Sequence, residues 1–388
     1  MSDSLTPSRP PAWPRQAPWL RQVLAFGLFL FGGGALGWLA GRALPDISDE
    51  AAPDLPLVIA VALLSVFGAI ALHELGHVLG MLAANFRVLL YVVGPLKISR
   101  EGDRLRLRLN RDLALAGGVA AGLPKDLRAA DDDRALTRRY ALVVAAGPAM
   151  SLALALLGGL GAAATAGTPN AFAPGIFALV NAAIFLVTAI PAKTSGFDTD
   201  GAQLLDLLRG GHRAERKRLA TLITTFSVNG QRPRDWDPAL MERWLALRDG
   251  RRDDVLPTFY GYYHALDRGE IERAGEFLDR ALELREGMPG PFRPAVLLEA
   301  AYFTARYRQE AAGARALLDQ ARGGTVEAHS RLRAEAAVLW AEGRRDEAAD
   351  QARAGLAAAS KSWDKGGTTA EQDWLRALLA DCQPQTAS

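Results

Sequence analysis

From Leu55 to Leu72 the chain runs eighteen residues without a charge, and the next two residues are His73 and Glu74. A run of that length and composition predicts a membrane-spanning helix, which satisfies its own backbone in hydrocarbon. Ionisable side chains are expensive at that depth, so those that occur there point to function. Ala71-Leu-His-Glu-Leu-Gly-His77 places three of them within five positions. Residues i and i+4 share a helix face, so His73 and His77 can aim both imidazoles at one metal ion. Glu74 lies about 100° round from His73, near enough to reach a water at that metal. The pattern suits zinc hydrolysis, with two neutral imidazoles as ligands and a carboxylate as general base. Histidines that merely bond to neighbouring helices are the bland alternative, and the complete five-residue pattern outweighs it.

The rest of the chain divides in two. Up to about Gly201 long apolar runs dominate, and beyond it Arg, Glu, Asp and Ala take over. The net charge of +2 over 388 residues gives no argument for a nucleic-acid partner. A single cysteine, Cys382, excludes an intramolecular disulfide and a cysteine-based zinc site. Residues 1–18, with five prolines, read as a disordered basic tail. Residues 19–210 read as a membrane-embedded domain with about four transmembrane helices: Trp19–Leu39, Leu55–Ala83, Tyr140–Ala164 and Ala171–Ala192. Between the second and third, Arg87–Val93 reads as a strand and Leu96–Leu109 as a hairpin turning at Glu101-Gly-Asp103. There Leu105, Leu107 and Leu109 alternate with Arg104, Arg106 and Arg108. Such a membrane-edge hairpin could pair with an unwound substrate segment, or simply be structural at the headgroups. Leu113–Pro124 is apolar but too short to span, and predicts a re-entrant or interfacial loop.

Lys and Arg crowd the segment from Arg87 to Arg139 and follow the last span, whereas the 165–170 connection is uncharged. That bias predicts both termini in the cytoplasm. Residues 211–380 read as a soluble helical repeat domain. Ala274, Ala311 and Ala348 are spaced by 37 residues, as are Leu266, Phe303 and Trp340. A period of that size marks an array of helical hairpins, of which Tyr262–Leu284 is the clearest unit and resembles a tetratricopeptide repeat. Arrays of this kind mostly bind peptides or proteins; a rigid spacer is the alternative. The fold class expected is therefore mainly α: a polytopic helical membrane domain with a small β-hairpin, then a soluble α-α repeat domain.

Two histidines leave zinc short of three protein ligands. His212, His264 and His329 lie in the soluble half, so the candidates near membrane depth are Asp198 and Asp200, after the last span. With His73-Glu-Leu-Gly-His77 in one span, Ala146-Gly147-Pro148 in the next and Pro191…Asp200-Gly201 later, residues 55–210 resemble the site-2 protease family of intramembrane zinc metalloproteases. The resemblance implies that His73, His77 and Asp200 hold Zn2+ and that Glu74 is the catalytic base. It implies an integral protein of the lipid bilayer, acting on a transmembrane protein substrate, in regulated intramembrane proteolysis. The Ala- and Arg-rich composition fits a bacterial inner membrane. Two positions depart from the family pattern, Thr188 and Ser151 standing where amides are usual. The helical array, with a protein or peptide partner expected for it, replaces the usual accessory domains. A non-proteolytic scaffold and a transporter are the competing classes. The intact Glu74 argues against the first, and a distant Asp paired with H-E-x-x-H is a poor match to the second.

Overall fold

In the computed structural model the residues described are 54–111, 115–126, 133–194, 197–248 and 254–383. The expected N-terminal tail and the first expected span, Trp19–Leu39, lie outside them. The described chain is mainly helical with a small antiparallel sheet. Three of its helices are long and apolar enough to cross a membrane. Helix α1 (Leu55–Ala83) has the bounds expected from sequence. Asp54 starts it by accepting the Leu57 backbone N–H at 3.2 Å, and Pro56 occupies a first-turn position that needs no N–H partner. Its end is set by Asn85, in the left-handed conformation that asparagine tolerates better than most residues.

The described residues fall into two compact units, one made of those within 54–66 and 152–184 and the other of those within 67–151 and 185–383. In the first, the later part of helix α2 (Asp133–Ala164) packs on helix α3 (Phe172–Ala189) through small residues. A Cβ on Gly158 would lie 3.1 Å from both the Ala178 methyl and the Pro174 carbonyl oxygen. Close backbone approach of this kind is how helices associate where no hydrophobic drive exists between them. Leu156, Leu157 and Leu160 on the same helix face outward.

In the second unit the sheet has the order β3-β2-β1-β4, built from Phe86–Val93 (β1), Leu96–Glu101 (β2), Arg104–Leu109 (β3) and Val119–Pro124 (β4). The hairpin turns at Gly102-Asp103 as expected, with Glu101 opposite Arg104 and Leu96 opposite Leu109. The segment expected as a re-entrant or interfacial loop, which the resemblance also places in a membrane-edge β region, is a strand in its second half: Val119–Pro124 pairs antiparallel to β1, Val92 facing Val119 and Phe86 facing Pro124. The physical reason is that β1 exposes a second edge of backbone donors and acceptors, which an apolar segment of matching length satisfies. The sheet does not sit beyond the end of α1 but runs back beside it. The Tyr91 hydroxyl donates to the Ala71 carbonyl at 2.9 Å, and a Cβ on Gly94 would lie 2.9 Å from the Phe67 ring. Eight residues of strand rise about 26 Å and the seventeen helical residues from Phe67 to Ala83 also about 26 Å, so the two match.

Beyond the short strands β5 (Lys193–Thr194) and β6 (Phe197–Asp198) the chain is helical: α4 (Asp200–Arg209), α5 (Gly211–Val228) and α6 (Pro238–Ala246). Three helix pairs and a last helix then stack: α7 (Val255–Asp267) with α8 (Ile271–Leu284), α9 (Arg293–Phe303) with α10 (Ala311–Gln320), α11 (Ala328–Ala341) with α12 (Arg345–Ala359), and α13 (Lys365–Cys382). The repeat is less regular than 37 residues. The fully buried alanines that sit fourth in α8, α10 and α12 are Ala274, Ala314 and Ala348, so Ala314 takes the place expected for Ala311. A π-helical turn at Thr304–Arg308, closed by left-handed Gln309, lengthens the second pair and shifts the register.

A buried ionic cluster ties α7, α9, α11 and α13 together. Arg333, wholly enclosed, donates to Glu371 at 2.9 Å and to Glu299 at 2.5 Å, and its guanidinium lies 3.9 Å from the Tyr302 ring centre. The Tyr262 and Tyr263 hydroxyls donate to the Glu299 carboxylate at 2.9 and 3.0 Å. Removing the cation alone strands two buried carboxylates, so Arg333→Met is expected to destabilise the array by about 3–5 kcal/mol in a denaturant titration. His329 stands beside the cluster, 3.3 Å from Glu371 and 2.7 Å from Glu327. Burial alone would lower its pKa, but those two carboxylates outweigh it and raise it from 6.5 to about 10. The histidine therefore contributes stability fully below about pH 6.5 that is lost as pH rises through about 10. Resistance to denaturant should fall across that window in the wild type and change less in His329→Gln; equal slopes in the two proteins would contradict the assignment.

Candidate metal centre

The site is assembled from three helices of the second unit. His73 and His77, one turn apart on α1, are buried together, with ring centres 5.0 Å apart and planes at 83°. Helix α2 crosses them closely because glycines stand on both sides of the contact. A Cβ on Gly76 would lie 2.6 Å from the Ala146 carbonyl oxygen, and one on Gly80 would lie 2.7 Å from the Ala146 methyl. Opposite, a Cβ on Gly147 would be 2.2 Å from His77 Nε2 itself. The Ala146-Gly147-Pro148 sequence thus leaves the imidazole the space it occupies.

Each imidazole is held through its other nitrogen. His77 Nδ1 lies 2.9 Å from the Val143 carbonyl, which can only accept, so that nitrogen carries the proton and Nε2 keeps its lone pair. His73 Nδ1 is 2.9 Å from the Ser151 hydroxyl. An anchored second nitrogen is how histidine ligands are usually oriented. The serine that departs from the family pattern therefore acts on a histidine, a role invisible at the sequence level. The Thr188 hydroxyl turns to the Phe185 carbonyl of its own helix.

Asp200 is brought to the histidines by the turn that joins α3 to α4. Thr199 caps α4, accepting the Ala202 N–H, and its hydroxyl also donates to the Ile190 carbonyl at 2.8 Å. Gly201 lets α4 press against the end of α3: a Cβ there would lie 1.8 Å from the Ala189 carbonyl oxygen. So positioned, Asp200 places one carboxylate oxygen 3.2 Å from His73 Nε2 and the other 3.4 Å from His77 Nε2. Asp198 does not join the cluster. Its carboxylate is 3.3 Å from Lys217 Nζ on α5, which also reaches Asp206 at 3.8 Å. Lys217 is thus a cation beside the ligand-bearing turn that sequence reasoning missed.

Three potential ligand atoms, one each from His73, His77 and Asp200, lie within 4.8 Å of one another. For a tetrahedral zinc with bonds near 2.0–2.1 Å the ligand atoms stand about 3.4 Å apart, close to the two separations found here. Two imidazoles and a carboxylate are donors that zinc accepts, and three protein ligands would leave its fourth position to water. Glu74 points to the sheet: a Cβ on Gly118 would be 2.6 Å from its Oε1, and the Ala120 N–H is directed at its carboxylate. Gly118, at φ +105°, is therefore required on both conformational and steric grounds. A cavity of about 590 Å³ opens elsewhere, among Arg134, Arg138, Glu215, Arg218 and Arg243, and takes no part in this cluster.

No family model, curated protein or solved structure matches the chain.

Gly147→Ala and Gly201→Ala test the construction of the site. Each puts a methyl where an imidazole or a carbonyl already stands, so each should lower zinc retention after gel filtration in detergent, while helix content by circular dichroism stays near wild type. Full zinc retention in both variants would contradict the packing described.

Proposed function

We propose that the chain is an intramembrane zinc endopeptidase of the site-2 protease type, with the His73–His77–Asp200 cluster as its metal centre. The single observation that carries this reading is the convergence of an H-E-x-x-H helix and an Asp 127 residues later on one buried point. Three apolar helices in the described residues support a membrane setting. The excess of Lys and Arg in the 87–139 segment and after α3 supports cytoplasmic termini.

A zinc ion at this cluster supplies Lewis acidity for a peptide carbonyl and for an attacking water. Asp200 and the two imidazoles orient that chemistry, Ser151 and Val143 fixing the rings. Glu74 takes a proton from the attacking water at its carboxylate and passes it to the departing amine. The substrate is a transmembrane segment that has locally unwound, because a helical peptide engages its own carbonyls. Strand β4 is the sheet edge beside Glu74, and an extended segment laid along it would present its backbone to that carboxylate. The helical array then selects or restrains the substrate, or a regulator of it.

Glu74→Gln separates an enzyme from a metal-bearing scaffold. Reconstituted with zinc and a panel of single-span proteins carrying helix-breaking residues, the wild type should cut within a span. The variant should lose about 10²–10⁴-fold in rate with its zinc retained. Equal turnover by both, or zinc-loaded wild type that cuts no member of the panel, would contradict the proposal.

A further inference from the structure

Strand β3 is the other edge of the sheet, and every one of its six residues is exposed. Leu105, Leu107 and Leu109 are 51, 67 and 67% exposed, an unusual state for three leucines on one short strand. They share a sheet face with Leu96, Ile98 and Arg100, their register partners on β2. The opposite face carries Arg104, Arg106 and Arg108. A long apolar edge left bare invites pairing and aggregation, so natural sheets cover it or charge it. Here both devices occur on one strand, the leucines on one side and the arginines on the other.

The position of the strand says what covers it. Asn110, just after β3, donates from its backbone to the Pro95 carbonyl at 2.7 Å and from its amide to the Gly94 carbonyl at 2.8 Å. Gly94 in turn lies against Phe67 of α1. The Leu109 end is therefore level with the middle of the apolar helix, and the Arg104 end with its last turns. At the latter end Asp103 lies 3.8 Å from Lys365 of the soluble array. Arg108 starts at the deep end, opposite Lys97, yet its guanidinium pairs with Glu101 at the shallow end. The long Arg108 side chain thus turns its charged head along the strand toward the polar boundary, as a snorkelling cation does. The β2–β3 hairpin carries five cations, Lys97, Arg100, Arg104, Arg106 and Arg108, against Glu101 and Asp103.

We propose that β3 is a lipid-binding edge: Leu105, Leu107 and Leu109 enter the acyl layer, and Arg104, Arg106 and Arg108 take the phosphate groups of anionic phospholipids. This inference rests on the membrane reading of α1. It assigns the two sheet edges different partners, with β3 sealed by lipid and β4 left for a peptide.

The test places a fluorophore on Leu107→Cys in a Cys382→Ala background, with Leu64→Cys on α1 as a control. Each protein is reconstituted in phosphatidylcholine–phosphatidylglycerol bilayers in which either lipid is brominated and quenches on contact. Quenching at 107 by both lipids, with the brominated phosphatidylglycerol favoured, is expected. Arg106→Gln should reduce that preference by up to about fivefold, given the attraction of one basic residue to an anionic surface. Replacing all three arginines should abolish it. Glycerol phosphate added to the buffer should not displace the lipid. Displacement would assign the cations to a free phosphate and overturn the lipid claim. So would quenching at 107 that is equal for the two lipids, or absent, or replaced by self-quenching between two copies of the chain. Absence of quenching at both 107 and 64 would instead sink the membrane reading of α1.

Discussion

The structure around the candidate centre depends on one contact, that of the His77 ring with the bare Cα of Gly147. The ring can occupy that place only because α1 and α2 meet through Gly76, Gly80 and Gly147, whose missing side chains bring the two backbones together. Once the backbones are that close, the Val143 carbonyl on α2 is within reach of His77 Nδ1 and the Ser151 hydroxyl within reach of His73 Nδ1. Both rings then present Nε2 to Asp200. Packing, tautomer and ligand direction are thus consequences of the same crossing. Contacts between small residues fix this crossing.

A second close approach does the same work at the other end of the site. Gly201 against the Ala189 carbonyl brings α4 under α3, and Thr199 stitches the intervening turn to Ile190 and Ala192. An aspartate far along the chain becomes a neighbour of two histidines by this route. Its flank is held by Lys217 on α5, which engages Asp198 and Asp206 on either side of Asp200 in the sequence. The sheet completes the surroundings, because β4 leads Gly118 and Ala120 to the Glu74 carboxylate.

Much of this is written in the residues themselves. The bounds of α1, the turn at Gly102-Asp103 and the choice between two aspartates follow from apolar run length, turn chemistry and family resemblance. Other features are legible only in three dimensions. The pairing of Val119–Pro124 with β1 is a long-range match of backbone edges, and an apolar six-residue segment carries no local mark of it. Ser151 reads as a missing amide in the sequence, and only its place one crossing away from His73 gives it a partner. In the array, the average spacing of 37 residues conceals two unequal repeats, since the π-helical turn at Thr304–Arg308 shifts Ala314 into the position that periodicity assigns to Ala311. Arg333 reads as one more surface arginine, although it is the enclosed centre of a cluster with Glu299 and Glu371.

The central claim is that His73, His77 and Asp200 form one zinc centre. X-ray absorption at the zinc edge on the detergent-purified wild type, beside Asp200→Ala and Asp198→Ala, tests it directly. The account predicts about one zinc per chain with two imidazole nitrogens and oxygen ligands near 2.0–2.2 Å. That environment should be lost or altered in Asp200→Ala and kept in Asp198→Ala. A wild type that takes up no zinc when supplied with it, or an Asp200→Ala spectrum identical to wild type, would contradict the claim.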